Sequence, residues 1–331
     1  MYATILKKTK LFVTHGTKCH ELKLNDGQET IQSQEIRPLA CLAEEADTRL
    51  LLHVKQAADS GDYPSIVLRS SDTDVFVLAL YYQREMNVPI VIQRQATQKK
   101  WKFVDIRAIC VKLGDHIVSA LPGLHAFSGC DSTSAFSGKG KKSLYKVLTT
   151  NDEFCEAMLQ LGDSTEVSED LFAACEAGLC HVYGHPQCRD INQVRYDMLS
   201  KGAESHQIPP TQDALRVHIM RANYQTMLWK HALKGQYKPP SPDGHGWSLK
   251  GDSLEIVWML KDPAPNSLLE FVHCKTCKKC DTRRCSCKRN GFQCTDVCGC
   301  VSAQCENSED TGRYLPGEDE EEEIEEEEYQ F

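Results

Sequence analysis

The stretch Ser65-Ile-Val-Leu-Arg-Ser-Ser-Asp-Thr-Asp-Val-Phe-Val-Leu-Ala-Leu-Tyr-Tyr82 decides the fold class of this chain. Its first five residues, Ser65–Arg69, are a short run typical of a buried strand. From Asp74 to Tyr82 the chain is apolar nearly all round, which predicts a buried helix. A strand that leads directly into a buried helix indicates an α/β domain.

The flanking segments continue this alternation of strands and helices. Helical spacing predicts a helix over Glu44–Ala58, with Leu50 and Val54 on one face. Further elements are predicted as strands at Pro89–Gln93 and Trp101–Val104 and as helices at Ile106–Leu113 and Asp115–Leu121. We therefore predict an α/β core over 44–150, with a mainly parallel sheet covered by helices.

The rest of the chain is predicted to form four further regions. An N-terminal hairpin and loop occupy 1–43, with the hairpin over Thr4–Leu22 and the loop over Asn25–Arg37. A helical extension with a late strand at Leu254–Leu260 occupies 151–270. Its clearest helix follows Thr211, a predicted N-cap, and runs to about Leu233. A cysteine-rich module (271–307) and an acidic tail (308–331) complete the chain.

Charge is distributed unevenly along the sequence. The formal net charge is −9, but ten acids lie between Glu318 and Glu328, so the remainder sums to +1 (−9 plus 10). Such a run cannot bury apolar surface, and we expect the tail to be disordered. It either solubilises the chain or imitates phosphate, competing with DNA or recruiting basic partners such as chromatin proteins. No apolar run is long enough to predict a membrane span.

The cysteine-rich module contains nine cysteines in the pattern C-x2-C-x2-C-x4-C-x-C-x6-C-x3-C-x-C-x4-C. They are Cys274, Cys277, Cys280, Cys285, Cys287, Cys294, Cys298, Cys300 and Cys305. So short a segment has too little apolar material to fold alone, and metal binding can supply free energy because it is coupled to folding. Thiolates at these spacings favour tetrahedral zinc over calcium or magnesium.

The alternative for these cysteines is a set of disulfides. Nine is an odd number, so complete pairing would leave one free thiol. The other cysteines, such as Cys110 and Cys155, lie singly in apolar surroundings, which is typical of a reducing compartment. These features favour zinc over disulfides.

The interval from Cys280 to Cys300 resembles the CXC domain of tesmin-type proteins, which shares the core C-x4-C-x-C-x6-C-x3-C-x-C. This resemblance implies about three zinc ions held by nine cysteines, and DNA binding. The two end intervals are longer here than in the family, and Arg284 replaces a tyrosine that often precedes the central C-x-C. DNA contacts are predicted for Lys279, Arg283, Arg284, Lys288 and Arg289.

Five acids of the predicted core lie at a strand end, a helix start or a turn. They are Glu45, Asp47, Asp72, Asp74 and Asp131. Because ligands bind at strand ends of open sheets, and gathered carboxylates repel one another, a magnesium or manganese ion is predicted to bridge them. Each acid alone also fits a helix cap or a helix-dipole partner. The nearby lysines predicted to contact a phosphate backbone are Lys139, Lys141 and Lys142.

The order Glu45-Ala-Asp47, Asp72-Thr-Asp74 and Gly129-Cys-Asp131 resembles the acids of the flap-endonuclease and XPG-type branch of PIN-like nucleases. This resemblance implies a PIN-like fold in which the five acids are catalytic. The block also resembles transposon-derived animal proteins, through His125-Ala-Phe-Ser-Gly-Cys-Asp131 and Arg221-Ala-Asn-Tyr-Gln225 with Trp229. PIN-like nucleases open with a strand that ends in a metal-binding Asp. We expect this chain to lack that strand, which leaves an incomplete acidic site.

These patterns predict a nuclear DNA-binding protein of mobile-element origin, in which zinc folds the DNA-binding module and the acidic core cleaves phosphodiesters. Two alternatives remain open: a catalytically inactive DNA- or chromatin-binding adaptor, and a protein-interaction scaffold. His181, His185 and Cys188, near Cys180, have irregular spacing and are interpreted as structural rather than as a second zinc site.

Overall fold

The protein is described from a computed structural model that covers 9–24, 30–43, 45–97, 100–261, 274, 279–289, 293–294, 298–300 and 305–307, without the side chains of Ala96, Thr97 and Ser205. The chain divides into two compact units, Met1–Leu260 and Lys261–Phe331. The predicted disordered tail and Cys277 lie outside the described residues.

An antiparallel sheet begins the first unit. It contains β1 (Leu11–His15), β2 (Lys18–Lys23) and β3 (Gln32–Glu35). β1 and β2 form the predicted hairpin around Gly16, whose φ of +57° suits a residue without a Cβ. The predicted loop at Asn25–Arg37 is wrong where β3 lies, because every residue of β3 is polar and exposed and so gives no hydrophobic alternation.

The central sheet has three strands in the order β4 (Ile66–Arg69), β5 (Ile90–Thr97) and β6 (Lys100–Asp105). β4 and β5 are parallel, whereas β5 and β6 are antiparallel. The prediction of a mainly parallel sheet is therefore wrong. The space between β5 and β6 is too short for the crossover that a parallel pair needs, so the two strands form a hairpin.

Nine helices accompany these strands within the described part of the first unit. They are α1 (Ala46–Ser60), α2 (Thr73–Tyr82), α3 (Ile106–Leu113), α4 (Asp115–Ser128), α5 (Lys141–Leu148), α6 (Asp152–Gln160), α7 (Glu169–Val182), α8 (Ile191–Ser200) and α9 (Gln212–Lys230). Thr211 is confirmed as the N-cap of α9, since its hydroxyl accepts from the Ala214 N–H at 3.1 Å. Single turns of 3₁₀ helix occur at Arg37–Leu39, Gln83–Glu85 and Ser205–Gln207.

One continuous core joins the central sheet to the helices. Leu68, Ile90 and Ile92 point their side chains into it, together with much of α2 and α4. α9 is also buried along most of its length, and Trp229 near its end is only 1 % exposed. No described helix is long and apolar enough to cross a membrane.

A second hairpin, β7 (Trp247–Lys250) with β8 (Ser253–Ile256), follows α9. The predicted strand at Leu254–Leu260 ends earlier, at Ile256, and its partner β7 was not predicted. The described part of the second unit contains one short helix, α10 (Ser286–Arg289), among buried cysteines. The mixed α/β architecture is confirmed, and its identification as PIN-like stays a prediction.

Candidate metal centres

Three carboxylates come together where β4 passes into α2. Asp72 is the N-cap of α2, and its Oδ1 accepts from the Asp74 N–H at 2.9 Å. Asp47 lies in the first turn of α1. One oxygen from each of Asp47, Asp72 and Asp74 lies within 4.8 Å of the other two, so one or more cations can contact all three carboxylates.

A cavity of about 280 Å³ opens beside this triad. It is lined by Glu45, Ala46, Asp47, Asp74, Cys130, Asp131, Ser132, Gln225 and Trp229. Four of the five acids that the sequence singled out therefore line one cavity, and the fifth, Asp72, belongs to the adjoining triad. The structure brings the five together, and their catalytic role stays a prediction.

The electrostatics of the cavity disfavour so much negative charge without a cation. Burial, followed by the charges of Asp72 and Asp74, raises the pKa of Asp47 to about 6. Burial also raises the pKa of Glu45, although a hydrogen bond from Gln225 opposes this shift. All the lining acids offer hard oxygen atoms, which suit magnesium or manganese.

Side chains behind the acids hold two of them in place. His125 Nε2 donates to Asp74 Oδ1 at 2.6 Å, and the buried His125 ring stacks on Trp229 with centroids 5.6 Å apart. Gln225 Nε2 donates to Glu45 Oε1 at 3.0 Å and its Oε1 accepts from Ser132 Oγ at 2.7 Å. These contacts fix the orientation of the two carboxylates before any ligand binds.

In the sequence alone, His125, Gln225 and Trp229 stand out only through the resemblance to transposon-derived animal proteins. One sequence feature points to a role for Gln225: it is a polar residue in a helix that is buried along most of its length. A buried polar group needs a hydrogen-bond partner, so such a residue is a candidate for orienting a site. Trp229 Nε1 is buried and makes no hydrogen bond within the described part of the chain. Its N–H lies near Glu45 and favours the charged form of that carboxyl, which partly offsets the rise that burial causes in the Glu45 pKa. The indole N–H is therefore a buried donor at the cavity wall.

The three predicted phosphate-contacting lysines lie in different surroundings. Lys141 Nζ donates to Ser128 Oγ at 3.2 Å and to the Gly129 carbonyl, and burial lowers its pKa. Lys139 Nζ lies 5.1 Å from the centroid of the Tyr183 ring, and Lys142 is exposed. Lys141 is thus tied to the turn that carries Asp131.

That turn depends on Gly129. Its φ is +108°, and a Cβ at this position would lie 2.9 Å from the Cα of Ala135. A larger residue would therefore displace the chain between α4 and Asp131.

In the second unit, the described cysteine sulfurs lie at separations that fit a shared metal. Sγ of Cys274 is 3.7 Å from that of Cys280, 4.0 Å from that of Cys294 and 3.2 Å from that of Cys300. Two sulfurs bound to one tetrahedral zinc ion lie about 3.8 Å apart. No disulfide joins two described cysteines, so the disulfide alternative has no support among the described residues.

Three overlapping groups of four cysteines are each close enough to hold an ion. They are Cys274/Cys294/Cys298/Cys300, Cys274/Cys280/Cys285/Cys294 and Cys280/Cys294/Cys300/Cys305. Cys294 belongs to all three groups, and Asn307 Nδ2 donates to its sulfur at 3.3 Å. Because the groups share members, three ions could occupy them together only if some sulfurs were shared between ions. The cluster is consistent with zinc.

The pKa values of the crowded thiols are shifted, as that of Asp47 is in the acidic cavity. Burial and the neighbouring Cys298 raise the pKa of Cys287. Burial also opposes the charged form of Cys285, but hydrogen bonds from the Lys288 backbone and neighbouring thiols lower its pKa to about 7. A bound cation would favour thiolates throughout the cluster.

The predicted DNA-contacting residues of this unit are exposed around α10. They are Lys279, Arg283, Arg284, Lys288 and Arg289. Lys288 Nζ donates to the Asp281 carbonyl at 2.9 Å.

The group at Cys180, His181, His185 and Cys188 forms no arrangement suited to a metal among the described residues. Cys188 Sγ donates to the Asp190 carbonyl at 3.2 Å, and His181 contacts Asn151.

No family model, curated protein or solved structure gives a significant match to this chain. The functional assignment below therefore rests on the chemistry of the two centres.

The first prediction concerns Asp47. Because its pKa is raised to about 6 in the folded chain and is about 4 when unfolded, the cation-free protein should lose stability as pH rises between these values. Asp47→Asn should remove that loss and raise the free energy of unfolding at pH 7 by about 1 kcal/mol after allowance for solvent screening. Urea denaturation at pH 4.5 and 7, with exposed Asp62→Asn as the control, tests this. Lower stability of Asp47→Asn at pH 7 would contradict it.

The second prediction concerns zinc. The purified chain should contain about three zinc ions, as the CXC resemblance implies. Cys294→Ser should lower the zinc content more than Cys305→Ser, because Cys294 belongs to three of the four-cysteine groups and Cys305 to one. Elemental analysis combined with native mass spectrometry measures this. Equal zinc content in the two variants, or cross-linked sulfurs, would contradict the shared-sulfur arrangement.

Proposed function

We propose that this chain is a nuclear DNA-binding protein of mobile-element origin with two metal centres. The second unit binds zinc and contacts DNA, and the acidic cavity of the first unit binds magnesium or manganese and hydrolyses phosphodiesters. The observation that carries the proposal is that four acids line one cavity and a fifth, Asp72, joins two of them in a triad whose oxygens lie within 4.8 Å of one another.

The acidic cavity offers hard oxygen donors of the kind used in metal-dependent phosphodiester hydrolysis. Divalent cations held by such acids supply an activated water and stabilise the leaving oxygen. The closeness of the Asp47, Asp72 and Asp74 oxygens supports cation binding by these three residues. His125 and Gln225 orient Asp74 and Glu45 through hydrogen bonds. Lys141 donates to the Gly129 carbonyl in the turn that carries Asp131, and its positive charge near the cavity would attract a phosphate group.

The second unit supports DNA binding through its charge. Between Phe271 and Asn307, seven basic residues outnumber three acids, an excess of four before thiolates are counted. About three zinc ions with nine thiolates contribute about −3, so the net charge is close to +1. Affinity for DNA therefore depends on where the exposed basic side chains lie, and it should weaken as salt concentration rises.

The alternatives of an inactive adaptor and a scaffold make different predictions for one experiment. The wild-type chain should cleave flap or single-stranded DNA when magnesium is present. Asp72→Asn combined with Asp74→Asn should abolish cleavage because it removes two carboxylates of the triad. Asp62→Asn combined with Asp252→Asn removes two exposed acids elsewhere and is the matched control. A gel assay of labelled DNA measures the product.

Salt-sensitive DNA binding without cleavage would contradict the nuclease proposal and favour the adaptor. DNA binding that is unaffected by Arg284→Ala with Lys288→Ala would contradict the role of the second unit and favour the scaffold. Zinc content is measured on the same samples. A variant that lacks zinc has a misfolded second unit, whereas a variant with normal zinc content reports on the altered side chains themselves.

A further test addresses His125. His125→Phe keeps an aromatic ring beside Trp229 but removes the donor to Asp74, and it should weaken manganese binding by about 10- to 100-fold. Circular dichroism checks that the fold is retained, and calorimetric titration with manganese measures affinity. Unchanged affinity in a folded variant would show that Asp74 is held by other contacts.

A further inference from the structure

The central sheet presents an exposed aromatic face. Its inner face joins the core through Leu68, Ile90 and Ile92. The alternating residues face the other way, and among them Val67, Trp101 and Phe103 are 53 %, 39 % and 63 % exposed. Large exposed apolar residues are ordinary when they are scattered, but a cluster on one sheet face indicates a binding surface.

Strand register places cationic and amide groups among these aromatic residues. Arg69 of β4 pairs with Gln93 of β5, which pairs with Phe103 of β6. Gln95 pairs with Trp101 in the next row of the same face. The Arg69 guanidinium lies 4.3 Å from the centroid of the Trp101 ring. The acid on this face is Asp105, whose carboxylate caps α3 by accepting from the Ala108 N–H.

We propose that this face, formed by Arg69, Gln93, Gln95, Trp101 and Phe103, binds single-stranded nucleic acid. The inference deepens the proposed function and rests on it, since it adds a binding surface for the same class of substrate. Trp101 and Phe103 lie two residues apart on one strand and point to the same face, so their Cα atoms are about 7 Å apart. That spacing gives each ring room to stack one base.

The chemistry of the face fits a nucleic acid better than an apolar protein partner. Bases of any sequence stack on aromatic rings, and an arginine beside a ring can stack on a base and pair with a phosphate. Gln93 and Gln95 can hydrogen-bond to base edges that are unpaired in a single strand. Lys100, at the start of β6, is also exposed.

The face is linked along the chain to the acidic cavity. β4 ends at Arg69, and Asp72 follows three residues later. Three residues span at most about 11 Å, so a strand that contacts Arg69 is within a few nucleotides of the carboxylate triad. The face can therefore hold a single strand beside the cavity.

The test uses the full zinc-bound chain without added magnesium. Fluorescence anisotropy with labelled oligothymidylate and a duplex of equal length measures binding to each. Trp101→Ala with Phe103→Ala should weaken binding to oligothymidylate by roughly tenfold or more and leave duplex binding unchanged. Trp258→Ala, which removes a 62 % exposed tryptophan from another segment, is the matched control.

A second measurement uses the unaltered chain. Photocrosslinking with an oligonucleotide containing 5-bromodeoxyuridine, followed by peptide mass spectrometry, should place crosslinks at Trp101 or Phe103. Crosslinks confined to the second unit would overturn the inference. Unchanged oligothymidylate binding by the double variant would also overturn it.

Loss of self-association in the double variant, measured by analytical ultracentrifugation with DNA binding unchanged, would assign the face to a second copy of the chain and overturn the inference. The result is separable from the nuclease test. If the chain binds DNA through Trp101 and Phe103 but cleaves nothing, this inference stands and the nuclease proposal is contradicted. If the chain cleaves DNA but does not bind it through these two residues, the nuclease proposal stands and this inference is contradicted.

Discussion

Repulsion among the carboxylates of Asp47, Asp72 and Asp74 is the constraint on which the first unit's candidate site depends. Partial burial disfavours the charged form of Asp47 most strongly, and the nearby charges of Asp72 and Asp74, with oxygens within 4.8 Å, add to that cost. The packing of α1 against α2 and the hydrogen bond from His125 to Asp74 keep the acids together despite this repulsion. A divalent cation bound by the three carboxylates would relieve this repulsion.

In the second unit, buried ligand groups are also crowded together, but the donor atom is sulfur instead of oxygen. Its thiols are buried at separations of 3.2 to 4.0 Å around Cys274, and ionising several without a cation would be costly. Zinc binding would convert this crowding into stabilisation, because the metal binds only ligands that the fold has collected. The chain thus combines a hard-oxygen centre in one unit with a soft-sulfur centre in the other.

The sequence was most informative where local pattern and tertiary structure agree. The β4 and α2 boundaries were predicted within one residue because the apolar runs Ile66–Leu68 and Val75–Tyr82 are separated by a short polar turn around Asp72. The direction of β6 was missed, since hydrophobicity does not report strand direction. β3 was missed because it is exposed and polar. The partners His125 and Gln225 were assigned no role because they lie far in sequence from Asp74 and Glu45, and only the tertiary fold brings them together.

Strand β4 shows how one short segment can serve stability and chemistry together. Leu68 faces inward and is 3 % exposed, so it stabilises the core. Its neighbour Arg69 faces outward over Trp101. Ser70 then orients the turn by accepting from the Asp72 N–H, and Asp72 begins α2 while contributing to the triad. Because the strand is fixed by its buried residues, the positions of Arg69 and Asp72 are fixed as well. A rigid core strand can therefore hold an exposed aromatic sheet face and an acidic cavity in a fixed relation to each other.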